Sequence, residues 1–466
     1  MNNELVVFVN VRRTHLERGA VFEAAHRLGY GVALLADAVP EGLPRGIVRT
    51  VVRLDTRDEA AVHAAVDEIA AEHRIAAVLG WSERDVTTVS GIAQRLGLPG
   101  VSPGAARLAR NKYLMREAVA EHHPHLVPRF ARVTDWSDLS RAVELVGFPA
   151  VLKPTSSSGS RGIFVIDGPA GLRPAFDRLM DLTATTETRH ELIYEEFLHG
   201  TEHSVEGFVH CGQIHVVGVI DKRTTEPFRL ELAHLHPSAL PADRLDAVHR
   251  LTADVVSALG LDDCAFHLEC MVAPDGGVRL VEIGARGGGD FIASHLVGLA
   301  TGRSFVENAI RVATGRPPLD AAGPPLWACV RKILTDRVGT LTGYAGLDDA
   351  CRVPGVRHLV IEQPVGAEIT QPPVDFKSCI LGAVITVGDS AEAAEGSAEQ
   401  ARRPGPRRHL LSGQPEGIRG PDVRTGPAVP VGPPAPHRRV AGPRPVFRQQ
   451  RNTGRHTFSP CRVARA

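Results

Sequence analysis

Several common signals are scarce or absent in this chain. Its seven cysteines are scattered without a C-x-x-C pair, which argues against a disulfide framework or a zinc site. No apolar run approaches the roughly 18 residues of a membrane span, and the Met-Asn-Asn-Glu start lacks the basic region of a secretory signal. We therefore expect a cytoplasmic protein with no membrane partner.

Lysine is also rare, with five residues among 53 basic ones, so each lysine is a candidate for a specific role. Lys153 ends the apolar run 148–152 and leads into a Ser/Gly-rich stretch, PTSSSGSRG, and then into IFVI. This pattern predicts strand, loop and strand, with small residues whose N–H groups can approach phosphate oxygens. No Gly-Lys-Ser/Thr opens a helix here, which excludes a P-loop. A Ser/Gly loop by itself is more often a linker.

Two glutamates, Glu269 and Glu282, lie in the segment FHLECMVAPDGGVRLVEIGAR. Read as two strands around the turn 274–277, the segment points both carboxylates to one face. Mg²⁺ in proteins is commonly held by one or two carboxylates together with substrate phosphates. Arg286 follows the second glutamate and could reach a phosphoryl or carboxylate group. An isolated pair of this kind is more often solvated, so the interpretation depends on the upstream segments.

Between these segments lies ELIYEEFLHGTEHSVEGFV, residues 191–209. It predicts a strand, a hinge at Gly200 and a second strand. The hinge backbone could pair with an adenine edge, and a later carboxylate could accept hydrogen bonds from ribose. An amphipathic acidic hairpin explains the segment equally well when it is taken alone.

Taken in order, these segments resemble the ATP-grasp superfamily over roughly residues 1–390. The order is Lys112 in RNKYLMREAV, then Lys153, the hinge YEEFLHGTE, Glu269, and Glu282-Ile-Gly-Ala-Arg286. The resemblance implies that both lysines contact ATP phosphates and that the two late carboxylates bind Mg²⁺, with Mn²⁺ as an alternative. It also implies further nucleotide contacts, made by Ser157, Ser158 and Gly159 of the loop, by Glu195, Glu196, Phe197 and Leu198 of the hinge, and by Glu202.

A narrower resemblance is to the L-amino acid ligases, which join two amino acids into a dipeptide. Gly284 stands where many ATP-grasp enzymes have Asn, and the run 287–292 follows Arg286 as in that subgroup. Glu231-Leu-Ala-His234 has the spacing of a Glu and a His that line the amino-acid site. The resemblance therefore implies roles in substrate binding or catalysis for Glu231, His234 and Arg286. His234 could equally be structural, and Glu83 is a weaker candidate for binding a substrate ammonium group.

We therefore expect an ATP-dependent carboxylate–amine ligase that works through an acyl phosphate, releases ADP and phosphate, and acts on amino acids. Two alternatives stay open: a ligase or carboxylase acting on a non-amino-acid carboxylate, and a degenerate protein that binds ATP without turnover. The expected partners are small carboxylate and amine substrates, without nucleic acid. Homodimerisation, the identity of the two substrates and the base that deprotonates the amine are left open.

The predicted fold class is α/β, an ATP-grasp fold with two flanking domains. The buried runs 4–10 and 31–36, with a helical stretch 16–28 between them, predict a Rossmann-like domain. No Gly-x-Gly-x-x-Gly follows the first strand, so this domain need not hold a dinucleotide. The expected regions are a pre-ATP-grasp domain at 1–108, the ATP-grasp domain at 109–320, a small β-containing domain at 321–393 and a tail at 394–466.

The tail differs from the rest of the chain. Residues 401–466 contain 14 Arg, 12 Pro, one Asp, one Glu and no Lys. High proline and low apolar content predict disorder. A basic arm for nucleic acid or membrane is one interpretation. We prefer the interpretation that the tail is a GC-rich gene segment read out of frame, in which case the closing helix of the C-terminal domain would be missing.

Overall fold

The computed structural model describes most of the chain, and the described strands form four sheets. The described residues are 4–157, 159, 162–184, 190–226, 228–324, 326–372, 374–402, 411–412 and 462–465. None of the helices in these ranges is both long enough and apolar enough to cross a membrane.

The N-terminal elements are β1 (Glu4–Val9), α1 (His15–Arg27), β2 (Gly31–Ala36), β3 (Val48–Arg53), α2 (Glu59–Glu72), β4 (Arg74–Gly80) and α3 (Val86–Leu96). The four strands form a parallel sheet in the order β3-β2-β1-β4. Strand β2 and, after its first residue Glu4, strand β1 are apolar because α1 packs on one face and α2 on the other. The Rossmann-like prediction is confirmed. Helix α3 ends at Leu96, and its C-cap residue Gly97 adopts the left-handed conformation with a φ of 64°.

The second group of elements is α4 (Pro103–Arg110), α5 (Lys112–His122), β5 (Phe130–Val133), α6 (Trp136–Val146), β6 (Ala150–Pro154), β7 (Phe164–Ile166), α7 (Leu172–Thr183) and β8 (Leu192–Glu196). Its strands form an antiparallel sheet in the order β5-β8-β6-β7. Strands β6 and β7 flank the Ser/Gly loop, as predicted.

The third group is β9 (Thr201–His210), β10 (Gln213–Thr224), β11 (Glu231–His236), α8 (Ala242–Leu259), β12 (Cys264–Val272), β13 (Val278–Gly284), α9 (Val297–Thr301) and α10 (Phe305–Ala313). The C-terminal elements are β14 (Trp327–Leu334), β15 (Gly339–Leu341), α11 (Leu347–Arg352), β16 (Val356–Ile361), β17 (Glu368–Ile369), β18 (Ile380–Gly388), α12 (Ala391–Arg402), β19 (Leu411–Ser412) and β20 (Arg462–Arg465).

One nine-stranded sheet runs through both of these groups, in the order β13-β12-β9-β10-β11-β14-β18-β16-β20. The antiparallel pairing of β11 with β14 is the junction, so the predicted C-terminal β elements extend the ATP-grasp sheet. This continuity places the C-terminal strands beside the strand that carries Glu231 and His234.

Helix α12 requires a correction to the expected tail boundary. It continues to Arg402, whereas we expected the tail to begin at residue 394. The reason is packing, since Ala394, Ala398 and Ala401 are buried against the C-terminal strands. The closing helix is therefore present. Most of the remaining tail lies outside the described residues, apart from β19 and β20, which pair with β15 and β16.

A shared core joins the N-terminal sheet to the large sheet. It contains Phe8 and Trp81 from the first sheet and Phe208 and Phe305 from the ATP-grasp part. The rings of Phe208 and Phe305 stack with centroids 4.4 Å apart. This packing holds the carboxyl ends of β1 and β4 against the segment that follows Glu282.

Candidate active site

Glu269 and Glu282 lie directly opposite each other on the hairpin of β12 and β13, because they are partners in the strand register. Both line a cavity of about 1290 Å³. The register shifts immediately after Glu269, and such bulges are common beside active sites. The expected hairpin geometry is present, while metal binding stays a prediction.

Lys112 and Lys153 reach the same cavity from two other elements. Lys112 begins α5, and its Nζ lies 2.8 Å from Glu282 Oε2. Lys153 lies on β6, and its Nζ is 2.5 Å from Glu195 Oε1. Burial lowers the pKa of Lys153, and the neighbouring carboxylate of Glu195 offsets part of that effect. Two buried ammonium groups thus face the cavity, where charge interactions are stronger than in water.

The loop and hinge residues also line this cavity. Ser157 and Gly159 do so from the loop, and the carbonyl oxygen of Ser157 accepts a hydrogen bond from Lys112 Nζ at 2.8 Å. Ser158 lies outside the described residues. The hinge contributes Glu195, Glu196, Phe197, Leu198 and Glu202.

The carboxylate of Glu195 is held by two cations. Its second partner is Arg116, a fully buried residue whose Nη2 lies 3.2 Å from Oε2. Burial would raise the pKa of Glu195, but Lys153 and Arg116 outweigh burial and lower it. The side chain of Glu195 therefore fixes Lys153, and the hinge N–H groups of Glu196 and Phe197 donate to the carbonyl oxygens of Arg129 and Pro149.

Lys222 is a central residue that the sequence argument counted but did not place. Its Nζ lies 2.7 Å from Glu269, 2.8 Å from Glu202 and 3.2 Å from Glu231. Burial would lower its pKa, but the three carboxylates outweigh burial and raise the pKa well above its ordinary value. The scarcity of lysine was the only signal that could have identified it.

Glu231 and His234 lie together on β11, as their spacing implied. His234 is 1% exposed, and its Nε2 lies 3.5 Å from Glu231 and 3.8 Å from Asp290. Neither ring nitrogen has a hydrogen-bond partner among the described residues. A buried imidazole without partners is costly, so this ring is suited to contact a ligand.

Asp290 and Lys332 complete this part of the cavity, and neither was predicted. Lys332 Nζ on β14 lies 2.8 Å from Asp290 and 3.2 Å from Glu362. Asp290 and Phe291 have positive φ values of 49° and 66°, which is unusual for residues other than glycine. Strain of this kind is common where a side chain must be held at a functional site.

Arg286 is bound by a carboxylate from the N-terminal domain. Its Nε donates to Glu83 Oε2 at 2.8 Å, and both side chains are buried. A Cβ atom on Gly284 would lie 2.5 Å from the same oxygen of Glu83. Gly284 therefore leaves the space that Glu83 occupies. The hypothesis that Glu83 binds a substrate ammonium group stays a prediction, since its carboxylate here is engaged with Arg286.

A buried network supports Glu269 from behind. Glu206 is fully buried, and its carboxylate contacts His267 Nδ1 at 2.5 Å and accepts from the N–H of Gly288 at 3.0 Å. His267 Nε2 lies 3.4 Å from Glu269. Burial alone would lower the pKa of His267, but Glu206 outweighs it and raises the pKa to about 9. This second layer fixes the orientation of Glu269.

Three family profiles match the chain. They are the ATP-grasp N-terminal domain at residues 22–100, the ATP-grasp domain at 146–294 and the L-amino acid ligase C-terminal domain 2 at 331–403. The last match extends past residue 393, in agreement with α12. The chain thus contains segments that match the two ATP-grasp models, and its C-terminal part matches the model of an L-amino acid ligase C-terminal domain.

Similar proteins are known in sequence and in structure. Carnosine synthase 1 of Gallus gallus is 29% identical over 66% of this chain and 35% of its own length. Alanine–anticapsin ligase of Bacillus subtilis (strain 168) is 28% identical over 44% of this chain and 47% of its own length. The chain therefore covers about a third to a half of these two relatives. The crystal structure of L-amino acid ligase from Bacillus licheniformis shares the fold, with a TM-score of 0.75, 23% identity, and coverage of 87% of this chain and 98% of that one.

Proposed function

We propose that this protein is an ATP-dependent ligase that joins the carboxylate of one amino acid to the amine of another. The observation that carries the proposal is the opposition of Glu269 and Glu282 in a cavity that Glu231 and Asp290 also line, with the buried His234 beside both to complete the Glu231–His234–Asp290 group. The pair Glu269 and Glu282 would bind the metal ion that assists phosphoryl transfer. The Glu231–His234–Asp290 group would contact a small polar substrate. The ligase-type C-terminal domain and the relatives named as synthases and ligases support the assignment.

The nucleotide would lie between the four-stranded sheet of β5 to β8 and the strands β9 to β13 of the nine-stranded sheet. Lys112 and Lys153 would contact its phosphates, and Glu202 its ribose. The hinge backbone would bind adenine against apolar walls, which are formed by Val151, Ile163, Val165, Phe197, Leu198, Met271 and Val281.

The donor set of the hairpin fits a divalent cation. Burial would raise the pKa of Glu282, but Lys112 outweighs it and lowers the pKa. Burial acts on Glu269 in the same way, and Lys222 outweighs it, so its pKa lies well below the ordinary value. Both carboxylates are therefore ionised hard-oxygen donors, and they would hold Mg²⁺. A bound Mg²⁺ supplies charge neutralisation for the transferred phosphoryl group.

Two steps would follow in the cavity. A carboxylate oxygen of the first substrate attacks the γ-phosphorus of ATP, the bond to the β-phosphate oxygen breaks, and ADP leaves. The amine nitrogen of the second substrate then attacks the acyl carbon, and phosphate leaves as the amide forms. Arg286 would stabilise the transferred phosphoryl group and the later oxyanion. Positioning and charge account for most of the catalysis.

The amine must lose a proton before or during its attack, and His234 is the better candidate base. Burial would raise the pKa of Glu231, but Lys222 outweighs burial and holds the pKa below its usual range. A carboxylate held in its ionised form by a cation is a weak base. The neighbouring imidazole of His234 has no hydrogen-bond partner among the described residues, and it can accept a proton.

The degenerate alternative has lost its main support, because it depended on a missing closing helix and α12 is present. The proposed function is tested by ADP release with Mg²⁺ and pairs drawn from the twenty amino acids, followed by mass spectrometry of the products. We expect ADP release only when both substrates of a productive pair are added. If no pair of amino acids gives ADP release, the amino-acid assignment is wrong.

A further inference from the structure

The loop after β1 brings Arg12 from the N-terminal domain into the wall of the cavity. The guanidinium is held by the glycine run that follows Arg286, since Nη2 donates to the carbonyl oxygen of Gly287 at 3.3 Å and to that of Gly288 at 3.2 Å. These contacts link two segments that are more than 270 positions apart in the chain. The lack of a side chain at Gly289 leaves space for the guanidinium, because a Cβ there would lie 3.3 Å from Arg12 Nη1.

Arg12 forms no ion pair with any carboxylate of the described residues, and both of its described hydrogen bonds go to neutral carbonyl oxygens. A partly buried guanidinium without a counter-ion is costly. Burial lowers the pKa of Arg12 and outweighs the opposing charges of Glu17, Glu206 and Glu83, while the charge of Arg286 acts in the same direction as burial.

Those three glutamates have closer partners of their own. Glu17 accepts a hydrogen bond from the hydroxyl of Thr14 at 2.9 Å. Glu83 is bound to Arg286, and Glu206 is bound to His267 and to a backbone N–H. Glu83 and Glu206 are therefore neutralised by their own cations, whereas Glu17 is bound only by a hydroxyl and acts on Arg12 without an ion-pair contact. No carboxylate of the described residues contacts the guanidinium, which is available to a ligand in the cavity.

Other arginines of the cavity show the contrast. Arg84 forms ion pairs with Asp37 and Asp85, and Arg229 forms them with Glu202 and Glu226. Arg12 shares the cavity wall with both but is anchored by backbone carbonyls and contacts no acid among the described residues. Arg13 and Arg18 also line the cavity without a described ion pair, but Arg13 is exposed and Arg18 donates to the carbonyl oxygen of Arg13. Guanidinium groups bind carboxylates with two parallel hydrogen bonds, which makes a preplaced arginine a selective carboxylate receptor.

We propose that Arg12 binds the carboxylate of the amine substrate, so that this substrate is an amino acid with a free carboxylate rather than a simple amine. The inference rests on the proposed ligase function. The other substrate carboxylate becomes an acyl phosphate beside Glu269 and Glu282, in which the negative charge lies on the phosphoryl oxygens. The carboxylate of the amine substrate stays charged from binding to product release, so a permanent cation is suited to it.

The test compares amino acids with their α-carboxamides as amine substrates, in the wild type and in Arg12→Gln and Arg12→Lys. ADP release is measured with a productive pair from the amino-acid screen, at saturating ATP and acyl donor. We expect the wild type to prefer the acid over its amide by about 10- to 100-fold in kcat/KM. Arg12→Gln should lose this preference through the KM of the acid, and Arg12→Lys should keep part of it.

The acid-to-amide ratio separates recognition from structure. If Arg12 only holds the glycine run, Arg12→Gln will impair both substrates equally and leave the ratio unchanged, which overturns the inference. A rise in the KM of the acyl donor or of ATP instead of the amine substrate also overturns it. Arg45→Met, an exposed arginine of the same domain outside the cavity, is the control and should leave the ratio unaltered. Absence of ADP release in the wild type would instead contradict the proposed function.

Discussion

The two ends of the cavity are built differently. The phosphate end, which we define as Lys112, Lys153, Glu269 and Glu282, consists of residues that each stand in a recognisable local motif. The substrate end, which we define as Arg12, Glu231, His234, Asp290 and Lys332, is assembled from the N-terminal, ATP-grasp and C-terminal parts of the chain. The comparison indicates that the general chemistry is specified locally, whereas substrate selection depends on how the three parts pack.

Removal of a hairpin carboxylate should give the largest effect and test the phosphate end. Glu282→Gln keeps the shape but removes the charge opposite Glu269, so we expect kcat to fall about a thousandfold. ADP release with a productive pair measures this. Glu68→Gln, an exposed acid on α2, is the matched control and should retain full activity. Full ADP formation by Glu282→Gln would contradict the metal assignment.

Lys222 joins the two ends, because it contacts Glu202 and Glu269 on one side and Glu231 on the other. Lys222→Met leaves three buried carboxylates without their cation. We expect about 3 kcal/mol of lost unfolding free energy and a roughly hundredfold lower kcat/KM. Urea unfolding and ADP release measure these quantities. Lys222→Arg should recover stability more than activity, and an unaltered stability of Lys222→Met would show that the ion pairs are not formed.

Gly284→Ala tests the contact that brings the N-terminal domain to the site. The new Cβ would meet Glu83, so Glu83 must move and Arg286 loses its Nε partner. We expect activity to fall about 10- to 100-fold, with the same direction in Glu83→Gln. The effect of Gly284→Ala should be smaller in a Glu83→Ala background. Gly91→Ala, on a helix with no atom near the new Cβ, is the control.

The smallest expected effect is a change in the pH dependence of stability, caused by a buried histidine that packs beside the substrate end. His295 packs against Phe291, next to Asp290, and burial together with His358 lowers the pKa of His295 to about 3. The folded state therefore keeps this ring neutral while the unfolded state binds a proton below about pH 6.5. Stability is unaffected above that pH and falls as the pH drops toward 3. We expect His295 to lower the unfolding free energy by about 2 kcal/mol at pH 4.5 relative to pH 7.5. His295→Phe should abolish this contribution to the pH dependence of stability.

The sequence predicted many of the strands and the opposition of Glu269 and Glu282, because both depend on local signals, while the roles of the phosphate end stay predictions. Buried strands are continuous apolar runs, and the hairpin of Glu269 and Glu282 is defined by alternation around a Gly-rich turn. It placed the tail boundary too early, at residue 394, although the Arg- and Pro-rich composition begins only at about residue 401 and α12 ends at Arg402. The boundary depends on alanines of this helix that pack on the sheet, and such tertiary packing is not visible in the local sequence.

Asp290, Lys332 and Arg12 could not be found from sequence, because each is ordinary in its own segment. Lys332 lies on β14, and the pairing of β14 with β11 in the nine-stranded sheet places it in the cavity. Arg12 contacts the glycines that follow Arg286 because the shared core packs the N-terminal sheet against the ATP-grasp part. Contacts across such distances in the chain leave no periodic trace.

By itself, the sequence determined the α/β class, the order of the ATP-grasp motifs and the opposed carboxylates, since periodicity and turn chemistry act over a few residues. Only the tertiary structure decided which charges neutralise one another. It joined Glu83 to Arg286, placed Lys222 among three glutamates and left Arg12 without an acid. The physical reason is that burial makes charge pairing obligatory, and burial is a property of the packed molecule rather than of any segment.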